Sequence, residues 1–553
     1  MFKSRLLFIF FLLLFLSVIG KLFYLQVVNP KISLEDLYLR DKKIYPSRGK
    51  ILDRVGEPLA INKPTYLLYF EPKKINDTDK VIHTLDQILN IGEATLEAKL
   101  DKSKDWVVVK RDIDKKTKEK IGELDLSGIG FEENFKRDYP EASLAAHLLG
   151  FVGKDYWGGD VGYFGIEGFY NKDLTGLPGV FKSERDLFGR PILMGTQERI
   201  EPENGRNLYL TIDKSIQSIA KKRLLQGLKS YQAEEGCVLI ANPANMEILA
   251  LVCLPDFDLD QYYLFSEDYF KNPAISNLYE PGSIFKPLVM ASAIEEKAVK
   301  PNDLYDEKGP VDIGEYSIKT WNNQYEGKIN MTRIIEKSSN VGMVYVGQKL
   351  GEKKLYSYLN KFGLGELTGI DLQGEMTSYL KPINQWYPID FATVTFGQGI
   401  AVTPIQMIRA FASLINGGKL FHPYVMNKVG LDNNMKQTEP RLERNVISGF
   451  TSEVIKKMLL AAVDNGEVKW AKPAGYQIGG KTGTAQIPIS GHYDPSKTIA
   501  SFVGFAPVDD PKFICLVILR EPKTSPWGSE TAAPLFFEIA KDLIVYYGIT
   551  PEQ

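Results

Sequence analysis

Cysteine and histidine are scarce in this chain, which has 3 cysteines and 4 histidines among 553 residues. Three cysteines are too few for a framework of several disulfides. Cys237, Cys253 and Cys515 each lie in an apolar, strand-like run, so we expect all three to be small core residues. The histidines show neither the H-x-H nor the H-E-x-x-H spacing of metal ligands, so we expect no metal site and no cofactor. The chemistry must therefore come from hydroxyl, amine and amide groups.

An excess of charge is also lacking, since 67 lysines and arginines face 69 aspartates and glutamates, for a net charge of -2. A nearly neutral chain has no broad basic field to attract phosphates, which argues against a nucleic-acid-binding protein. Hydrophobic residues make up 44% and charged residues 25%, which are ordinary values for a globular protein. At roughly 100–200 residues per domain, the length predicts several domains.

One long apolar run occupies residues 6–28 and contains Lys21. The run is long enough to cross a bilayer, because a lysine near its end can extend its ammonium group to the headgroups. Lys3 and Arg5 precede it, so the positive-inside rule predicts a cytoplasmic tail over residues 1–5, a signal anchor over 6–28, and the rest outside the cytoplasm. A cleaved signal peptide is the alternative, but no small-x-small cleavage site follows the run. We expect a single-pass protein of the inner (cytoplasmic) membrane with its catalytic domain on the periplasmic face.

Two regions follow the predicted anchor. Residues 29–205 are charged and rich in turns, which predicts a non-catalytic pedestal of short strands and helices. In residues 206–553, apolar strand-like runs lie near both ends, at 236–254 and 499–519, with helical patterns between them. We expect an α/β (α+β) fold in which a sheet is built from both ends of the second domain.

The sharpest local pattern is Ser283-x-x-Lys286, directly before the apolar helical stretch 288–294. Proline is tolerated only in the first turn of a helix, so Pro287 predicts a helix that starts near Ser283. The hydroxyl would lie at the positive end of the helix dipole, and residues three apart share one helical face. A lysine can take the proton of a serine once burial or a neighbouring cation lowers its pKa. Alone the pattern is weak evidence for a catalytic site, because a serine that caps a helix beside a solvated lysine has the same sequence.

Two more patterns follow in the same region. The run S-S-N at residues 338–340 offers a hydroxyl and an amide on one short turn, although alone it is typical of a turn or a cap. The run K-T-G-T at residues 481–484 puts a cation and two hydroxyls on a glycine-rich strand, although an edge-strand lysine beside a turn is the alternative. These runs begin 55 and 198 residues after Ser283. Their presence in this order within one candidate domain predicts a single active site.

The set S-x-x-K, S-x-N and K-T-G resembles that of penicillin-binding proteins and serine β-lactamases. Nearly the whole chain resembles a class B penicillin-binding protein, a membrane-anchored peptidoglycan D,D-transpeptidase. A β-lactamase lacks the non-catalytic motifs to which this chain is similar at residues 48–54, 137–140 and 165–168. The segments most similar to the division-specific (septal) branch are residues 279–283, 337–342, 396–400 and 501–507. The resemblance implies a transpeptidase domain with an antiparallel sheet flanked by helices, preceded by a pedestal of the dimerisation type and one transmembrane helix.

The resemblance also implies the roles of individual side chains. Ser283 would be the nucleophile, Lys286 would accept its proton, and Ser338 would relay a proton to the departing amine. Asn340 would hold Lys286 and the amide of the substrate. The backbone N–H groups of Ser283 and Thr484 would form the oxyanion hole.

The third motif would bind the substrate, a stem peptide that ends in D-Ala-D-Ala. Lys481, Thr482, Gly483 and Thr484 would hold its terminal carboxylate, and the charge of Lys481 would help to keep Lys286 neutral. β-Lactam antibiotics would acylate the enzyme. The other partners implied are a SEDS-type glycan polymerase and divisome membrane proteins.

Several alternatives remain open at the level of the sequence. An elongation-type transpeptidase belongs to the same class, and a β-lactamase, a D,D-carboxypeptidase or a non-catalytic penicillin-binding scaffold or sensor would share the motifs. Trp321 and Tyr325, which precede the second motif, are expected to pack in the core or at an edge. Lining the cleft is the alternative for these two aromatic residues.

Overall fold

The computed structural model of the chain describes residues 2–24, 39–156, 159–184, 197–431, 434–489 and 492–551. The chain divides into two compact units. The first consists of residues 1–48 and 175–205, and the second of residues 49–174 and 206–553.

The strands of the described residues, in chain order, are β1 (Leu39–Ile44), β2 (Ile51–Leu52), β3 (Pro58–Phe70), β4 (Val107–Ile113), β5 (Ile129–Asp138), β6 (Phe151–Lys154), β7 (Asp160–Tyr163), β8 (Gly179–Glu184), β9 (Gln197–Ile200), β10 (Asn207–Leu210), β11 (Glu235–Ala241), β12 (Ile248–Leu254), β13 (Leu304–Glu307), β14 (Val311–Ile313), β15 (Tyr316–Ile318), β16 (Gly327–Asn330), β17 (Lys419–Phe421), β18 (Met426–Leu431), β19 (Asn434–Gln437), β20 (Leu442–Asn445), β21 (Gly479–Ile489), β22 (His492–Ala506) and β23 (Phe513–Arg520).

The α-helices of the described residues are α1 (Phe2–Phe23), α2 (Thr78–Leu89), α3 (Glu93–Lys99), α4 (Lys115–Gly122), α5 (Ala146–Leu149), α6 (Gly165–Phe169), α7 (Asn171–Thr175), α8 (Lys214–Tyr231), α9 (Pro273–Ser276), α10 (Lys286–Glu295), α11 (Met331–Glu336), α12 (Asn340–Leu350), α13 (Glu352–Lys361), α14 (Pro388–Val394), α15 (Pro404–Ile415), α16 (Gly449–Asp464) and α17 (Ala532–Tyr547).

The first unit contains α1 and a three-stranded antiparallel sheet in the order β1-β8-β9. Among the described helices, none combines the length and the apolar character that a membrane span needs. Residues 25–28 of the predicted anchor lie outside the described residues.

The centre of the second unit is a five-stranded antiparallel sheet in the order β12-β11-β23-β22-β21. Strands β11 and β12 come from the start of the predicted second domain, and the other three come from its end. All residues of β12 are buried, as expected for a short, continuous apolar run. The sheet built from both ends of the domain is therefore confirmed.

Helices cover both faces of this sheet. On one face α8 and α17 contribute Ile216, Leu224 and Phe536 to a core that also contains Phe502 of β22. The other face belongs to the larger core, to which α10, α12, α15 and α16 contribute buried residues. Full burial of one such side chain stabilises the fold by roughly 1.5–3 kcal/mol. The α+β architecture with a flanked antiparallel sheet agrees with the sequence-based expectation.

A second sheet combines early and late residues of the chain. Its order is β19-β18-β10-β2-β3-β4, with β5 also paired to β3. Strand β2 lies parallel to β10, so residues from before and after position 205 are hydrogen-bonded in one sheet. This pairing explains why residues 49–174 lie in the same compact unit as the motifs.

All three cysteines lie in the core, as expected, but two of them are joined by a disulfide that the sequence did not indicate. Cys237 and Cys253 are direct partners across β11 and β12, and they form a disulfide with a Cα–Cα distance of 4.1 Å. A count of cysteines does not reveal the register of the hairpin, which places these two opposite each other. Cys515 is free and buried, as expected.

A buried ion pair joins two segments of the non-catalytic motifs. Arg137 Nε lies 2.6 Å from Glu167 Oε1, and these side chains are 5% and 0% exposed. Arg137 Nη1 also donates to the carbonyl oxygen of Gly49 at 2.8 Å and to Asn62 Oδ1 at 3.0 Å. The arginine thus ties together three separate parts of the second unit.

We expect Glu167→Gln to destabilise the second unit by roughly 3–5 kcal/mol, because a buried guanidinium would lose its counter-charge. The loss would be measured as a lower midpoint of thermal unfolding. The matched control is Asp138→Asn, which removes the carboxylate of the exposed pair with Lys63 and should cost at most about 1 kcal/mol. Equal shifts for the two variants would contradict the structural importance of the buried pair.

Candidate active site

The serine of the first motif lies in a 3₁₀ turn, Gly282–Phe285, that leads directly into α10. The α-helix begins at Lys286, one turn later than predicted, and Pro287 occupies its first turn. Because a 3₁₀ turn has about three residues per turn, side chains three apart lie above one another. Ser283 and Lys286 therefore share one side of the chain, as expected.

Gly282 allows this turn to pack against the third motif. Its φ of 57° lies in the left-handed region that favours glycine. A Cβ at this position would lie 2.8 Å from the carbonyl oxygen of Thr484, and its N–H donates to the carbonyl oxygen of Gly397 at 3.0 Å. The backbone beside Ser283 and that of Thr484 are thus neighbours, which is the arrangement the predicted oxyanion hole needs.

Lys286 is fully buried, and its Nζ connects the first motif to the second. Nζ lies 2.5 Å from the carbonyl oxygen of Ser338, 3.1 Å from Ser338 Oγ and 2.8 Å from Asn340 Oδ1. A neutral amine donates two hydrogen bonds and accepts one, and the two carbonyl oxygens can only accept. A neutral Lys286 would therefore donate to both of them and accept from the Ser338 hydroxyl. This geometry provides a direct path for a proton between Lys286 and Ser338.

The surroundings of Lys286 favour its neutral form. Burial lowers the pKa of Lys286 well below its ordinary value, and the positive charge of Lys481 lowers it further. The negative charge of Glu467 acts in the opposite direction and raises the pKa of Lys286. A neutral amine can accept the proton of a serine hydroxyl. Within the described residues, Ser283 Oγ makes no hydrogen bond, so its hydrogen is not held by another acceptor of the protein.

The second motif is held in an unusual backbone conformation. Ser338 has a φ of 55°, and a non-glycine residue in such a sparsely populated region costs on the order of 1–3 kcal/mol. Ser339 fixes the segment, because its Oγ accepts from Gly342 N–H at 2.9 Å and donates to the buried carboxylate of Glu307. Ser339 is thereby the N-cap of α12, whose first residue is Asn340. These contacts point the Ser338 and Asn340 side chains at the buried lysine.

The lysine of the third motif lies on β21, at the edge of the central sheet. Lys481 is 3% exposed, and its Nζ donates to the carbonyl oxygen of Thr482 at 3.2 Å and to Thr482 Oγ1 at 3.1 Å. Burial lowers the pKa of Lys481 to about 8, and Glu467 opposes this effect. Lys481 is therefore mostly protonated at neutral pH.

The last two residues of the third motif differ in what they offer. Thr484 Oγ1 accepts from Gly528 N–H at 3.0 Å, which leaves its hydroxyl hydrogen free to donate to a carboxylate. A Cβ at Gly483 would lie 2.3 Å from Ser501 Oγ and 3.0 Å from the carbonyl oxygen of Pro281. Gly483 thus permits close packing against the serine turn.

Comparison with known proteins gives the family. Residues 236–541 match the penicillin binding protein transpeptidase domain, and residues 43–210 match the penicillin-binding protein dimerisation domain. The chain belongs to the penicillin-binding protein transpeptidase family. The resemblance noted in the sequence is confirmed, and with it the prediction of a serine-type acyl transferase.

Relatives match this penicillin-binding protein over nearly its full length. It is 34% identical to stage V sporulation protein D of Bacillus subtilis (strain 168), over 100% of this chain and 87% of the relative. It is 30% identical to peptidoglycan D,D-transpeptidase FtsI of Buchnera aphidicola subsp. Schizaphis graminum, over 99% of this chain and 94% of the relative. The crystal structure of a peptidoglycan synthetase from Bifidobacterium adolescentis has a TM-score of 0.76 and 26% identity, over 93% of this chain and 98% of that chain. These matches confirm the predicted transpeptidase fold and the domain that precedes it, whereas the transmembrane helix stays a prediction.

The three motifs of this penicillin-binding protein meet at one cleft of about 80 Å³. The residues that line it are Gly282, Ser283, Trp321, Ser338, Asn340, Phe396, Gln398, Glu467, Thr482, Thr484 and Trp527. Lys286 is buried beside the cleft, and Lys481 borders a small adjoining cavity. A larger cavity of about 480 Å³, bordered by His147 and Arg520, has no motif residue among its described lining residues.

Two tryptophans form a wall of the cleft, and the sequence pointed to only one of them. The rings of Trp321 and Trp527 lie 5.4 Å apart, and Trp321 is 47% exposed. Trp321 therefore lines the cleft, which was the alternative to packing in the core or at an edge, whereas Tyr325 packs against the core. Trp527 and Glu467 belong to no motif. A signal for Trp527 was available, because a large aromatic residue in a turn-rich stretch after a strand is a candidate binding residue.

Proposed function

We propose that this penicillin-binding protein cross-links peptidoglycan stem peptides during septal wall synthesis, through an acyl-enzyme on Ser283 that β-lactams also form. One observation carries the proposal. A fully buried Lys286, with a lowered pKa, lies one 3₁₀ turn after Ser283 and is hydrogen-bonded to Ser338 and Asn340. Such a nucleophile and base, in a cleft that also holds the third motif, are the parts that acyl transfer requires.

In the first step, Ser283 Oγ attacks the carbonyl carbon between the two terminal D-alanines while Lys286 takes its proton. The carbon–nitrogen bond then breaks, and the departing amine receives a proton from Lys286 through Ser338. The N–H groups of Ser283 and Thr484 stabilise the negative oxygen of the intermediate, and one such donor is worth about 3 kcal/mol in other acyl-transfer enzymes. The product is an ester on Ser283 together with free D-alanine.

In the second step, an amine of a neighbouring stem peptide attacks the ester carbonyl carbon. A new amide bond forms, the bond to Ser283 Oγ breaks, and the proton of the amine returns to Ser283 through Lys286. Trp321 and Trp527 line the cleft, and apolar walls of this kind would favour transfer over hydrolysis by limiting the water at the ester.

The two lysines need opposite charge states at the same pH. Lys286 must be neutral to act as a base, and Lys481 must be protonated to bind the substrate carboxylate with Thr482 and Thr484. The lowered pKa of Lys286 favours its neutral form, and a pKa of Lys481 of about 8 favours the protonated form of that lysine at neutral pH. Two titratable groups with separated pKa values are a frequent sign of divided catalytic roles.

Penicillin labelling and peptide transfer test the proposal. The full chain in detergent would be incubated with fluorescent penicillin, and separately with a D-Ala-D-Ala donor peptide and an amine acceptor. We expect a long-lived adduct that maps to the peptide containing Ser283, and a cross-linked peptide with loss of D-alanine. Rapid release of hydrolysed penicillin would instead indicate a β-lactamase or carboxypeptidase, and absence of any adduct would indicate a non-catalytic scaffold.

The position of a labelled copy in growing cells tests the septal part of the proposal. Midcell signal is expected for septal synthesis, and signal along the sidewall would assign the chain to the elongation branch. A second candidate function is wall synthesis during spore formation, favoured by the 34% identity over the whole chain to stage V sporulation protein D. Signal that appears only in sporulating cells would favour this candidate over the septal function.

We also propose that residues 6–28 anchor the protein in the cytoplasmic membrane, with the motifs on the outer side. The apolar run after Lys3 and Arg5 supports this proposal. There the enzyme would work with a SEDS-type glycan polymerase and divisome membrane proteins. Protease added to intact spheroplasts should remove the catalytic region, and protection from protease would contradict this orientation.

A further inference from the structure

Glu467 is an acidic residue that borders the site and belongs to none of the motifs. It follows α16 and borders two cavities at once. One is the cleft that contains Ser283, and the other is the small adjoining cavity of about 10 Å³ that contains Lys481. Glu467 is half-buried, so its charge is only partly screened by solvent.

The loop that carries Glu467 is fixed by its neighbours. A Cβ at Gly466 would lie 2.1 Å from the carbonyl oxygen of Ala462, so only glycine fits this close approach. Asn465 Nδ2 donates to Glu336 Oε1 at 3.0 Å. Glu336 in turn lies 3.0 Å from Arg333 Nη1. These contacts hold the loop against α11, and Glu467 on this loop borders the cleft.

Few charged groups face this part of the site. Among the described residues, the two cavities are bordered by three charged side chains, Lys481, Glu467 and Glu336, and Lys286 is buried behind them. The charge of Glu336 is balanced by Arg333, and Glu336 is not among the groups that shift the pKa of either lysine. Glu467 raises the pKa of both lysines, against the effect of burial.

We propose that Glu467 is a positioning residue that sets the charge states of the two active-site lysines, and thereby the pH range over which Ser283 is acylated. The inference rests on the proposed function, because it assigns Lys286 as the neutral base and Lys481 as the cationic carboxylate binder. Glu467 acts through these lysines and does not itself take part in bond formation. Glu467 matters most for Lys481. Without the negative charge of Glu467, burial would lower the pKa of Lys481 further and less of this lysine would be protonated at neutral pH.

The test is the pH profile of penicillin acylation in the full-length Glu467→Gln variant. Acylation should rise with pH as Lys286 becomes neutral and fall at higher pH as Lys481 loses its proton. Loss of the negative charge lowers the pKa of both lysines. The rising (acid) limb and the falling (basic) limb of the pH profile should therefore both move to lower pH by about one unit. On the basic limb the variant should be about tenfold slower than the parent, and on the acid limb it should be as fast or faster. Penicillin needs no acceptor amine, so a role in acceptor binding would leave this profile unchanged.

Two variants serve as controls. Glu467→Asp keeps the negative charge, so both limbs of its pH profile should lie at the same pH as in the parent. Glu336→Gln makes the same change of charge at the same small cavity, but on a carboxylate already paired with Arg333, and should not move them. A Glu467→Gln profile that is lowered uniformly, with its limbs in place, would overturn the proposal and leave only a structural role. An equal shift in Glu336→Gln would also overturn it. If the parent protein forms no adduct on Ser283, the proposed function fails instead, so the two failures are distinguishable.

Discussion

Replacing Ser283 with alanine is expected to abolish the covalent penicillin adduct and to reduce peptide transfer by about 10⁴-fold or more, since no nucleophile remains at the turn. Intact-mass measurement after incubation with penicillin would show the loss. Non-covalent binding of the antibiotic should survive, because Lys481, Thr482 and Thr484 are unchanged. A variant that binds without reacting would separate the nucleophile from the carboxylate site.

A second buried serine provides the matched control. Ser292 lies on α10, is 1% exposed and donates through Oγ to the carbonyl oxygen of Leu288 at 2.8 Å. Ser292→Ala should therefore label as fast as the parent. An adduct that persists in Ser283→Ala would show that another hydroxyl is the nucleophile. Ser338 would be the first to examine, since it also lines the cleft.

The three motifs could be predicted from the sequence because their residue types indicate both the chemistry and the local backbone structure. Pro287 and the apolar stretch after it indicated a helix start beside Ser283, and the structure differs by a single 3₁₀ turn. The glycine-rich run that contains the third motif was expected to form a strand, and it lies on β21. The apolar runs near both ends of the second region indicated the central sheet. In each case a local rule and the global fold require the same residue types.

Other features depend on register and long-range packing, which local rules do not determine. The disulfide needs Cys237 and Cys253 to be direct partners across a hairpin, and a shift of one residue would place them on opposite faces. Trp527 meets Trp321 only because a loop after β23 reaches the segment before the second motif. Glu467 lies beside the cleft because the loop after α16 packs on α11. No period or motif in the sequence indicates such neighbours.

Replacing Lys286 with glutamine is expected to slow penicillin acylation by roughly 10²–10⁴-fold, the usual contribution of a positioned general base. Glutamine can still donate to Asn340 Oδ1, but its amide does not accept a proton from Ser283 at ordinary pH. In the parent, acylation should rise as Lys286 becomes neutral and fall above about pH 8, where Lys481 loses its proton. In the variant the rising limb should disappear while the fall above about pH 8 remains. The pH dependence of the residual rate, followed with fluorescent penicillin, checks both points.

Lys456 offers a comparison of the same chemistry at a different place. It is also a buried lysine, 5% exposed, and its Nζ donates to the carbonyl oxygen of Asp509 at 3.1 Å, away from the cleft. Lys456→Gln replaces a buried lysine with an amide as Lys286→Gln does, but Lys456 lies outside the residues that line the cleft, so its acylation rate and pH profile should match those of the parent. If Lys286→Gln kept its rising limb, another group would have to be the base. If the two variants slowed equally, the loss would follow from burying an amide in place of an amine rather than from the missing base. Only a loss confined to Lys286, together with the missing rising limb, ties proton transfer to this amine, which contacts both Ser338 and Asn340.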